Sequence, residues 1–229
     1  MKKALLCGLV ALGSANLASA EGWYAGAGLG YKQSAYTGHA GFQDTLSNGA
    51  WSTSKADFSK GDFLVTLSGG YKFSFSEADV FVALNGTLDH QRAEKKVVSN
   101  KSVVPSQDQL SIRRTGNIGI DVGISKNVWD LDWSLKVGAA LGRFDLNVSE
   151  LTAANDSFSS SKKKWALGFA PGFSVEKQVG SGVSVGITYE YQIYQKVKFA
   201  AKNSETNYSY SGSGTPKYHV FTLGVKKSF

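Results

Sequence analysis

The stretch KYHVFTLGVKKSF, Lys217–Phe229, decides the fold. Phe221, Leu223, Val225 and Phe229 fall on one side of a period-two alternation, with Thr222, Gly224 and Lys226 on the other. Such alternation marks a strand that meets one apolar environment. An amphipathic strand closing on an aromatic is the ending expected of a β-barrel set in a membrane. At the other end, Lys2 and Lys3 precede an apolar run, and Ala18, Ser19 and Ala20 form a small-residue exit. That pattern predicts a secretory signal peptide over residues 1–20, cleaved before Glu21, and leaves Glu21–Phe229 as one domain.

Composition narrows the class. Cys7 is the only cysteine and would leave with the signal, so no disulfide or thiol chemistry is expected. No apolar run after residue 20 is long enough for a membrane helix, a requirement that a barrel does not share. Aromatics make up 12% of the chain, too many for a disordered one. The net charge of +7 suits phosphates of lipopolysaccharide or a plain solvated surface.

The same alternation recurs upstream in Trp23–Lys32, Asp62–Phe73, Asp79–Asp89, Ser111–Lys126, Leu131–Phe144, Lys164–Glu176 and Val183–Tyr194. With the terminal run this predicts an all-β, eight-stranded antiparallel transmembrane up-and-down barrel. The connections alternate as well. Ser74–Ala78, Asn127–Asp130 and Lys177–Gly182 read as short periplasmic turns. Gln33–Gly61, His90–Leu110, Asp145–Lys163 and Gln195–Pro216 read as four long extracellular loops rich in serine, lysine and asparagine. A soluble lipocalin-like barrel would point its large apolar faces inward. Here the face with tryptophan and tyrosine is the bulky one, and the other carries glycine, alanine, serine, threonine and scattered charges. Lipid outside and a narrow polar interior inside fit that division. A β-sandwich shares the alternation but does not need long loops at one end only.

The opening GWYAGAGLGYK (Gly22–Lys32), the rhythm of short turns and long loops, and the closing Phe229 resemble small outer-membrane barrels of the opacity-protein/OmpA-like surface-antigen superfamily. The resemblance covers Glu21–Phe229 and implies a cell outer-membrane location and a role as surface antigen, adhesin or small pore. It carries no shared catalytic set. Phe229, Val225, Leu223 and Phe221 match the family's signal for the outer-membrane assembly machinery. Lys227 departs from it, at a height where a lysine can snorkel.

A search for chemistry finds little. His39, His90 and His219 form no HExxH pattern and no close cluster with acids or cysteine, so neither a metal nor another cofactor is expected. A lipid-modifying enzyme would need a serine, a histidine and an acid within reach. His219 with Ser209, Ser211 or Ser213 is the candidate set, but Glu190 lies on the opposite face of the wall by alternation. Gly26, Gly28 and Gly30 imitate a nucleotide loop, yet sit inside one strand with no helix to follow; their expected role is to admit close neighbours within a narrow barrel.

Alternation places Asp121, Lys136, Glu190 and Arg113 on the inner face, where a charge must be paired or hydrated. Lys136 is expected to pair with Asp121 or Glu190 and help fill the barrel. Lys162, Lys163 and Lys164, with Trp51, Tyr208 and Tyr210, are candidate surface contacts, for lipopolysaccharide or for a host-surface or matrix ligand. The expectation is a monomeric surface protein with loop-mediated adhesion and no nucleic-acid partner. A small ion-permeable pore and a lipid-modifying enzyme stand as alternatives.

Overall fold

A computed structural model describes residues 22–44, 52–55, 58–90, 94–99, 106–151, 157–202 and 208–229. The expected signal peptide lies outside the described residues. The strands are β1 (Gly22–Asp44), β2 (Ser52–Lys55), β3 (Phe58–Ser74), β4 (Asp79–Asp89), β5 (Glu94–Ser99) and β6 (Ser106–Val128). They continue with β7 (Leu131–Leu151), β8 (Ser157–Phe169), β9 (Gly172–Gly180), β10 (Val183–Tyr194), β11 (Val197–Lys202) and β12 (Tyr208–Ser228).

These strands build eight walls, all antiparallel to their neighbours. β12 pairs with both β1 and β10, which closes the ring and leaves no free sheet edge at that level. β2, β5 and β11 prolong the walls of β3, β4 and β10. β8 and β9 are one wall interrupted at Pro171, which has no N–H to offer the ladder. Both pieces keep one register against β7, with Phe169 opposite Ala139 and Gly172 opposite Lys136. The β6–β7 turn consists of Trp129 and Asp130, both at positive φ (55° and 61°), the primed geometry whose twist suits a tight hairpin.

The segments expected as long loops are largely strand. β1 runs on to Asp44, β6 begins at Ser106, β7 ends at Leu151 and β12 begins at Tyr208. The polar composition that suggested loops belongs to the outer faces of walls standing in water.

The wall exchanges its polarity with height. At the lower levels the outer face is apolar and exposed, as with Leu29 (71%) and Leu223 (61%). Aromatics gather at both margins of this belt. Trp23 meets Tyr71 edge-on at 5.2 Å on one margin, and Tyr31 meets Phe63 at 5.9 Å on the other. Behind the belt the interior is polar, with Asn117, Asp121, Ser125, Ser134, Ser174 and Ser184 all buried. Above the belt the order reverses. Tyr36, Ile112, Phe144, Leu146, Val197 and Phe199 pack inside as a core, while Gln33, Thr37, Ser59 and Lys198 face out and are exposed. Burial there pushes the pKa of the Tyr36 phenol above the usual tyrosine value. Each level hides whatever its surroundings would reject: polar groups where lipid lies outside, apolar groups where water does.

Candidate functional site

The interior carries two linked charged layers. In the lower one, β7 sends Lys136 across the barrel between β6 and β10. Its Nζ lies 2.7 Å from Asp121 Oδ2 and 2.6 Å from Glu190 Oε2. One ammonium thus answers two buried carboxylates.

The upper layer centres on Arg114, 1% exposed. Its Nε and Nη2 donate to the two oxygens of Asp89 at 2.7 and 3.0 Å. Lys32 Nζ reaches the same carboxylate at 2.9 Å and Asp62 at 3.8 Å. Arg114 Nη1 donates to Gln192 Oε1 and, at 3.1 Å, to the Tyr194 hydroxyl. Asn117 Nδ2 donates to that hydroxyl as well, at 3.0 Å. The guanidinium lies over the Tyr218 ring at 4.6 Å from its centroid. Phe144 meets Tyr194 edge-on at 5.1 Å and completes the layer. Gly142 and Gly168 make room for the Tyr194 ring: a Cβ on either would fall 2.6 and 2.8 Å from it. Gln192 Nε2 also donates to Glu190, which joins the two layers.

Arg113 is a correction. A β-bulge between Arg114 and Gly116 shifts the β6 register, so the inner face is held by odd residues below it and by even residues above it. Arg114 therefore points inward, opposite Phe144, and Arg113 takes the other face, opposite Asp145. Strict alternation conceals such a shift. The further partners of Arg114, namely Gln192, Tyr194 and Tyr218, carry no charge that would single them out in the sequence.

Below the layers the interior holds a cavity of about 150 Å³, lined among others by Tyr24, Ser68, Asn85, Ser134 and Thr188. At the lower mouth Lys72 pairs with Asp79 at 2.6 Å, and Lys226 pairs with Glu176. Gly28 is one residue that keeps this interior narrow, since a Cβ there would come within 2.6 Å of Thr222 Cγ2.

The outer surface carries the remaining candidates. His219 faces outward, its Nδ1 2.8 Å from the Tyr189 hydroxyl and its ring 4.8 Å from that of Tyr191. Glu190 is inside, and Ser213 stands six positions up β12, about 20 Å away, so the serine–histidine–acid set does not assemble. Among the described residues no group of three or more His, Cys, Asp or Glu is placed to hold a metal. Lys162 and Lys164 donate to the carbonyls of Ala200 and Lys198, and Lys163 is exposed opposite Asp145. Trp51 and the side chains of Tyr208 and Tyr210 lie outside the described residues. In β12, Phe221, Leu223 and Val225 project from the belt, flanked by Tyr31, Leu29 and Ala27 of β1. The Phe229 N–H donates to the Trp23 carbonyl at 2.8 Å.

A family model described as an outer membrane protein beta-barrel domain matches residues 4–229. No match to a curated protein sequence was found. Among solved structures, the chain is similar to Neisserial surface protein A, with 14% identity over 87% of this chain and 97% of that one, at a TM-score of 0.42. It is similar to Ail, the attachment invasion locus protein of Yersinia pestis, with 13% identity over 87% and 99% and a TM-score of 0.31. It is also similar to the outer membrane protease OmpT of Escherichia coli, with 10% identity over 95% and 100% and a TM-score of 0.45. At such identities and scores the likeness says nothing of activity.

Proposed function

The chain belongs to the outer membrane protein β-barrel family, and from that premise we propose that it is a surface-interaction protein whose walls carry contact segments well clear of the bilayer. The observation that supports this reading is the prolongation of the walls above the belt around an apolar core of their own. At about 3.3 Å per residue and a tilt of about 40°, the stretch from Tyr31 to Asp44 rises roughly 30–35 Å. Such a stiff mast suits binding at a distance, because little conformational freedom is lost when a partner docks. A filled interior, with Arg114, Phe144 and Tyr194 almost without exposure, argues against a wide pore. The segments 45–51, 100–105, 152–156 and 203–207, which connect β1 to β2, β5 to β6, β7 to β8 and β11 to β12 in sequence and lie outside the described residues, are the proposed contact points.

The test replaces each of these segments singly with a short Gly-Ser turn. Cells expressing the variants are then assayed for attachment to host cells and matrix. Loss of attachment with one or more replacements, at unchanged surface amount, supports the reading. Attachment indistinguishable from cells lacking the protein overturns it. So does attachment that survives all four replacements while ion flux follows changes inside the barrel.

A further inference from the structure

Above the belt the ring is not laddered all the way round. Ile193 pairs with Phe169 and Tyr194 with Gly168, and the Gln195 N–H donates to the Leu167 carbonyl at 2.8 Å. Beyond that point β8 keeps its ladder to β7 and β11 its ladder to β12, and among the described residues no backbone hydrogen bond joins β8 to β11. Two strand edges therefore face each other across a seam. Side chains bridge it: Lys164 and Lys162, on the inward register of β8 opposite Phe144 and Leu146, donate to the carbonyls of Lys198 and Ala200. In a strand the N–H of a residue points the same way as its C=O. The N–H groups of Lys198 and Ala200 thus face the seam as well, and among the described residues no backbone acceptor meets them there.

Lysine commonly guards a strand edge by standing out into water. Here two lysines turn back onto the facing edge and occupy the places of ladder donors. The outer side of the seam is basic as well, with Lys163, Lys196, Lys198 and Lys202 exposed along it. Asp145 is in register with Lys163, yet among the described residues no carboxylate lies within ion-pair distance of these lysines. On its inner side β11 is apolar, with Val197 and Phe199 buried. The edge of β11 thus combines unladdered backbone groups, an apolar inner face and a basic outer face.

We infer that this seam takes up an extended acidic segment of a partner protein, paired as a further strand along β11, with apolar side chains on its inner face and carboxylates on its outer face. The inference rests on the surface-interaction reading and adds the chemistry of the partner. When the segment's N–H groups engage the carbonyls of Lys198 and Ala200, the Lys164 and Lys162 ammoniums are released to its carboxylates. Its own carbonyls accept from the Lys198 and Ala200 N–H groups. Its apolar side chains lie beside Val197 and Phe199, and its acids beside Lys198 and Lys163. The ladder supplies affinity, and the lysines select the sign of the charge.

The experiment uses the full barrel in a nonionic detergent. The probe is a capped peptide of alternating glutamate and valine with the length of β11, 6 residues. A version with glutamine for glutamate tests the charge, and a version with proline in its centre tests the ladder. Binding is read by fluorescence anisotropy of the labelled peptide, and amide hydrogen exchange at Lys198 and Ala200 by NMR. The parent should bind the acidic peptide about tenfold more tightly than either comparison, and exchange at both amides should slow. Ala200→Pro removes one seam-facing N–H while leaving the ladder to β12 in place, and should weaken binding about tenfold. Lys163→Gln/Lys198→Gln should bring the acidic peptide down towards the neutral one. The exchange measurement on the parent decides the matter even if Ala200→Pro fails to fold. Equal binding of the acidic and neutral peptides overturns the inference, and so does binding that leaves exchange at Lys198 and Ala200 unchanged. Both amides protected before any peptide is added, in a dimer seen by native mass spectrometry, would assign the seam to a second copy and overturn it as well. A parent that binds none of the peptides also overturns it, and cell attachment that persists in that case leaves the surface-interaction reading standing.

Discussion

Arg114 grips Asp89 with two parallel hydrogen bonds, at 2.7 and 3.0 Å, and neither side chain has measurable exposure. Removing one partner of a buried pair of this kind leaves an uncompensated charge and typically costs about 3–5 kcal/mol. Arg114→Met should therefore destabilise the barrel by about 3 kcal/mol, the lower end, because Lys32 still neutralises Asp89. Arg113→Met, one residue away on the other face, should change stability by less than about 1 kcal/mol. Unfolding by denaturant in micelles, read by the gel shift between folded and unfolded forms, compares them. Equal losses would contradict the bulged register of β6.

Lys136 couples Asp121 to Glu190, so the three should behave as one unit. Lys136→Met and Glu190→Gln should each destabilise, and their double variant should lose less than the sum, with a coupling of at least about 1 kcal/mol. Strict additivity in the same unfolding assay would mean that water, rather than Lys136, neutralises the carboxylates.

Ion flow should be governed by the upper layer. In planar bilayers the parent protein should lack large, stable conductance steps. Lys136→Ala should match it, because Arg114, Phe144 and Tyr194 still fill the section above. Arg114→Ala/Tyr194→Ala should raise the flux. Large steps from the parent would favour a pore, and flux that rises with Lys136→Ala alone would place the constriction in the lower layer.

Ile120 projects from the middle of the belt on β6. Ile120→Arg should lower stability in lipid by about 2–4 kcal/mol, the depth-dependent penalty for a cation facing hydrocarbon. The same change at Gln33, on the outer face above the belt, should be nearly neutral. Refolding yields into vesicles would distinguish the two, and equal yields would displace the belt from where the apolar face puts it.

Much of this was legible in the sequence because lipid imposes a simple rule on a strand. Leu223 and Val225 alternating with Thr222 and Gly224 fix which face meets hydrocarbon, and the same alternation placed Lys136 on the inner face beside Asp121 and Glu190. Arg114 was hidden by the bulge, which moves one residue and so exchanges the faces of everything beyond it. The upper walls were hidden by their surroundings. In water their outward residues are Gln33, Thr37 and Ser59, which read as loop, although Tyr36, Ile112 and Phe199 hold the interior.

Where the wall trades its polarity, Tyr31 and Lys32 are consecutive residues that face opposite ways at the same height. Sinking the barrel by two residues would drag Gln33, with Gly61 opposite it, down to the level that Tyr31 and Phe63 hold. Raising it by as much would lift Tyr31 and Phe63 into water and bring Leu29 and Val65 to the margin. The chain thus carries its own waterline, drawn on both surfaces of one sheet. In a thinner or thicker bilayer the lipid should stretch or compress to meet that line, because the protein has no cheap way to move it.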